Sequence, residues 1–106
     1  MEMASYILTI LRSDLLKVFS WGFENPIAIQ NGLRFRVSGF IHKGYVEVVY
    51  NEGTDLFDIK TLNRDGSIAK SETDVYADSL VNVIDGMVER TPDYPSRVQM
   101  EYQVIR

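Results

Sequence analysis

The stretch that most constrains this chain runs from Leu33 to Lys70, where apolar and polar residues alternate and short turn-forming clusters interrupt them. Leu33, Phe35 and Val37 alternate with Arg34, Arg36 and Ser38, and a period of two places each set on its own face of a strand. Tyr45-Val46-Glu47-Val48-Val49-Tyr50 is rich in the β-branched and aromatic residues that suit a pleated, half-buried surface. Leu56 to Leu62 reads as a third strand, with Phe57 and Ile59 opposed to Asp58 and Lys60. Turn signals separate them. In Ile41-His42-Lys43-Gly44 the glycine is expected to supply a positive φ. Asn51-Glu52-Gly53-Thr54 is a second turn, and Asn63-Arg64-Asp65-Gly66 carries the Asp-Gly pair of a hairpin, with Ser67 to Lys70 returning. Ahead of the run, Ile27 to Gln30 is a further strand candidate, joined through a type I′ turn at Asn31-Gly32. Connections this short favour sequential antiparallel neighbours.

A sheet with one apolar face needs a cover, and the flanks supply it. Between Met3 and Phe19, Ala4, Ile7, Leu8, Leu11, Leu15, Val18 and Phe19 recur at steps of three and four, forming one stripe on a helix. Ile10 and Leu16 fall off that stripe, either as ordinary exposed apolars or as a contact with a second subunit. Gly22 is placed to end the helix, and Pro26 to block its continuation and push Asn25 towards extended geometry. Trp21 and Phe23 are expected to pack on a sheet edge rather than stack on a ligand. Ser71-Glu72-Thr73-Asp74 reads as the start of a second helix. Its stripe is Tyr76, Leu80, Val83, Ile84, Met87 and Val88, with Asp78, Asn82, Asp85 and Glu89 turned away. Arg90 and Pro92 mark its end.

The predicted fold is therefore α+β: a helix, an antiparallel meander of four to five strands, a helix and a short C-terminal tail. The two helices should pack on one face of the sheet. Residues 1–106 are read as a single domain. In the tail, Val98, Met100, Tyr102 and Val104 alternate with polar residues. Residues 91–106 are thus expected to add an edge strand or to exchange with a partner, although Val98, Tyr102 and Ile105 also fit a helix.

Composition narrows the function classes. With 45% hydrophobic and 25% charged residues the chain is an ordinary globular one. The absence of cysteine removes disulfides, zinc–thiolate sites and thiol catalysis, and fits a reducing compartment. A net charge of −4 weakens a nucleic-acid reading, which wants a basic face. No signal peptide or membrane-spanning segment is read, so the expected location is cytoplasmic.

No cluster reaches the standard of a catalytic constellation, and no cofactor is implied. Thr61 to Glu72 partly matches a calcium-binding loop: Asn63, Asp65, Gly66 and Glu72 fit, but Thr61 stands where an Asp belongs, and the incoming segment alternates like a strand. Asn63, Asp65 and Glu72 remain the metal alternative to a plain hairpin. His42, the single histidine, is expected in a solvated turn. Arg34, Arg36 and Lys60 should share the sheet face away from the helices, with Phe40 and either Tyr45 or Tyr50 adding aromatic area. Such a face suits a protein partner or, as the alternative, a nucleic acid. The resulting expectation is a small, non-enzymatic protein-binding module, self-associating as a homo-oligomer, with Arg34, Arg36, Phe40, Tyr45 and Lys60 as candidate binding residues.

Overall fold

A computed structural model describes residues 2–89. The N-terminal helical segment is α1 (Met3–Leu11), a single 3-10 turn at Arg12–Asp14, and α2 (Leu15–Ser20). Five strands follow: β1 (Glu24–Ile29), β2 (Gly32–Ser38), β3 (Lys43–Asn51), β4 (Leu56–Leu62) and β5 (Ile68–Val75). A 3-10 turn at Ala77–Ser79 leads into α3 (Leu80–Val88). The strands form one antiparallel sheet in the order β1-β2-β3-β4-β5. The molecule is thus the expected α+β meander with all five strands present. α1 lies on β1 and β2, α3 on β4 and β5, and α1 and α2 both touch α3, so the helices sit together on one face.

The strand phases follow the period-two pattern. Leu33, Phe35, Val37, Val46, Val48, Phe57 and Ile59 are buried under the helices. Ala4, Ile7, Leu11 and Val18 meet them from α1 and α2, and Leu80, Val81, Ile84, Met87 and Val88 from α3. Trp21 lies at the centre rather than at an edge. It is fully buried, its ring 6.4 Å from that of Phe35, and Phe23 packs on Phe35 at 4.7 Å. Gly22, at φ 69°, ends α2 as predicted, its N–H donating to the Phe19 carbonyl.

The structure departs from the sequence reading in several places. The first helix is broken. Asp14, at φ −144°, accepts from the Lys17 N–H at 3.4 Å and starts α2 afresh. Past the break only Val18 of α2 is buried, and Leu15 and Phe19 are exposed. Asn25 is left-handed (φ 54°), not extended, because the β1–β2 register shifts between Glu24 and Ile27 and a bulge sits there. The β1–β2 loop is Gln30-Asn31, one step earlier than read. Within it only Asn31 has a positive φ, so it is not a type I′ turn. Gly44 lies inside β3, opposite Val37, and a Cβ there would collide with the Leu62 carbonyl.

The largest difference is at Ser71–Asp74. These residues belong to β5, which pairs with β4 through Val75, and the helix begins only after Tyr76. Two helix residues expected to face solvent do not. Asp85 is 7% exposed and accepts from Trp21 Nε1 at 2.9 Å, and Glu89 is 6% exposed. The expectations for Arg90, Pro92 and the tail at 91–106 lie outside the described residues.

Candidate functional site

The sheet face away from the helices is built by alternate residues of each strand. It brings together Arg34, Arg36 and Lys60, as the alternation predicted, and of the two tyrosines left open it takes Tyr45. Their positive charge is locally compensated. Arg34 donates to Glu47 Oε2 from Nε at 2.9 Å and Nη2 at 2.6 Å, and its guanidinium lies 5.9 Å from the Tyr45 ring centroid. Arg36 lies 3.7 Å from Glu24, its register partner on β1. Lys60 stands opposite that same Glu47. This is a ladder of cross-strand charge pairs. Phe40 is not part of it. It follows the end of β2, where its N–H donates to Glu89 Oε2 at 3.2 Å. Tyr50 is on the helix side, edge-on to Phe57 at 5.5 Å.

The residues of the metal alternative do not converge. Asn63 and Asp65 lie in the β4–β5 turn, whose geometry they set. Asp65 Oδ1 accepts from the Ser67 N–H at 2.9 Å and its hydroxyl at 2.6 Å, and Asn63 Nδ2 donates to the Ser67 hydroxyl at 3.0 Å. Those bonds, the hydroxyl's first, hold the Asp65 carboxyl below its ordinary value. Glu72 is in β5 opposite Ile59, four residues along the ribbon from Asn63, or about 13 Å at strand rise. No trio of His, Asp or Glu side chains among the described residues is arranged to hold a metal ion.

His42 is not in solvent. The β2–β3 tip folds over the C-terminal end of α3, where the Ile41 and His42 N–H groups both donate to the Val88 carbonyl, at 2.8 and 3.1 Å. That closes a helix end that would otherwise leave a carbonyl unpaired. The His42 ring is buried with Nε2 2.8 Å from the Leu62 carbonyl, which makes Nε2 the protonated nitrogen. Beside it is a cavity of about 220 Å³ bordered by His42, Thr61, Asn63 and Lys70. Thr61 Oγ1 is buried and without a hydrogen-bond partner among the described residues. The histidine thus serves the fold, holding a hairpin tip to β4.

Among the described residues, α2 carries the most exposed large apolar side chains. Leu16 is 84% exposed, Phe19 67% and Leu15 47%. A groove of about 230 Å³ opens beside this helix, walled by Leu8, Leu11, Leu15, Phe19, Phe23 and Pro26, with Arg12 as its basic member. Sequence reasoning singled out Leu16 but counted Leu15 and Phe19 as core. The signal for the break was Asp14 three residues before Lys17, a cap in the middle of an otherwise continuous stripe.

Neither edge strand is an inviting template. β1 has its bulge and Pro26, which lacks an N–H. β5 carries Lys70, Glu72 and Asp74, two register shifts against β4 and a left-handed Asp74 (φ 57°). Bulges, proline and charge are how sheets avoid pairing edge to edge.

No helix among the described residues is long and apolar enough to cross a membrane. No family model matches the chain, and no curated protein and no solved structure matches it.

Proposed function

We propose that this protein is a small, non-enzymatic protein-binding module of the cytoplasm that associates with a second copy of itself through α2. The observation that carries this reading is the cluster Leu15, Leu16 and Phe19, exposed on one short helix beside an apolar groove. Contiguous apolar surface of this kind, rimmed by polar residues, marks interaction sites in soluble proteins. A projecting Leu16 and a groove on the same surface are the two halves a two-fold contact needs, since each copy presents both. The blunted sheet edges disfavour the other common route, strand addition.

Light scattering over a concentration series tests the proposal. The protein is expected to give a dimer mass that falls towards the monomer on dilution. Leu16→Asp, which changes a side chain that contributes nothing to the core, should remain folded by circular dichroism and stay monomeric. A wild-type protein that is monomeric throughout overturns the reading.

A further inference from the structure

A cavity of about 620 Å³ opens at the far end of the sheet from the His42 hairpin. It is lined by tyrosines from three separate elements: Tyr6 of α1, Tyr50 of β3 and Tyr76 from the β5–α3 connection. Phe57 closes its back, with the Tyr6 ring stacked at 6.4 Å and the Tyr50 ring edge-on at 5.5 Å. Two carboxylates complete it, Asp55 from the β3–β4 turn and Asp78 from the 3-10 turn before α3. Among the described residues that line it there is no lysine, arginine or histidine.

We infer that this cavity binds an organic cation of the alkylammonium class, held on the tyrosine faces with its charge balanced by Asp55 and Asp78. The quadrupole of an aromatic ring attracts a cation over its face, and rings converging from several directions are how proteins recognise methylated ammonium groups. A cation gains attraction to Asp55 and Asp78 that a neutral ligand of the same shape does not. A bare metal ion fits poorly, because two carboxylates are too few and one of them is already engaged. Asp55 Oδ1 accepts the Tyr50 hydroxyl, a bond within the cavity that fixes the ring's orientation. That bond, then burial and the nearby acidic groups, raises the Tyr50 pKa, so its phenol stays protonated and remains a donor to Asp55. The site shares no residue with the α2 surface and stands whether or not the protein dimerises.

The group could belong to a free quaternary amine or to a methylated lysine in a partner protein. The test is a titration of the full chain followed by the NMR signals of the Tyr6, Tyr50 and Tyr76 rings. Its probes are choline, a short peptide bearing trimethyllysine, and 3,3-dimethylbutanol, which has choline's shape without its charge. Either cation should shift all three rings, with the neutral isostere at least tenfold weaker. The tighter cation identifies the source. Tyr76→Ala and Asp78→Asn, both exposed positions, should each lower affinity about five- to tenfold while the fold is retained. Equal binding of dimethylbutanol, ring shifts produced by a neutral sugar such as methyl glucoside but by neither cation, or no shift with either cation overturns the assignment.

Discussion

Trp21 and Asp85 make a buried contact that ties α3 to the chain just after α2. The indole N–H and the carboxylate are both buried, and each is the other's partner across 64 residues of chain. Removing the donor strands a buried carboxylate, which costs about 1–3 kcal/mol before any loss of packing is added. Trp21→Phe is therefore expected to lower stability by about 3 kcal/mol in urea denaturation. Asp85→Asn, which keeps an acceptor oxygen, should cost under about 1 kcal/mol. Equal losses in both would show that the carboxylate's charge, not the hydrogen bond, is what matters. Thr61 gives a prediction of opposite sign. Its hydroxyl is buried with no partner among the described residues, so Thr61→Val, similar in shape and lacking the polar group, should be neutral or raise the melting temperature. A clear drop would reveal a partner for the hydroxyl. Asp65 has a pH signature. Its carboxyl is depressed in the folded protein, so it stabilises the fold above its ordinary pKa near 3.8 and that stabilisation is lost as the pH falls through the lower folded value. NMR titration should place Asp65 below an ordinary aspartate, and Ser67→Ala should return it towards that value.

At the scale of elements, the β2–β3 tip and the end of α3 hold one another. Gly39 passes so close that a Cβ there would strike the Val88 carbonyl and come within 2.7 Å of Glu89 Oε2. Gly39→Ala must push the two apart, with the 1–3 kcal/mol or so typical of overpacking. The buried indole of Trp21 gives the fluorescence signal to measure it. An unchanged midpoint would mean that the tip is free to yield. The strands themselves were legible because a half-buried sheet writes a period of two into the chain, and β2, β3 and β4 carry it. The helix start was misread because Ser71-Glu72-Thr73-Asp74 satisfies the grammar of a helix cap and of a polar edge strand alike, and only pairing with Lys60 and Ile59 decides between them. His42, Asp85 and Glu89 read as surface for the same kind of reason. Their partners or covering residues are far away in sequence, where a helical wheel or a turn motif has no view. The tyrosine cavity left no local trace either, its three tyrosines lying more than twenty residues apart on separate elements.

For the molecule as a whole, the two sides of the sheet have different tasks. One is sealed by α1, α2 and α3, and the other is lined with paired charges, Arg34 with Glu47 and Arg36 with Glu24. Exposed pairs of this kind add little stability, but they leave little unbalanced positive charge for a phosphate backbone. A gel shift at low salt is accordingly expected to show no nucleic-acid binding. A shift weakened by Arg34→Ala with Arg36→Ala would reassign the face. The surface proposed to meet a second copy is α2. Isotope-filtered NOE spectroscopy on an equimolar mixture of labelled and unlabelled chains examines it most directly. The account predicts intermolecular NOEs linking Leu16 and Phe19 of one copy to Leu8, Phe23 and Pro26 of the other. Intermolecular NOEs confined to the β1 or β5 edge, or none at concentrations where the rest of the spectrum is complete, would contradict it.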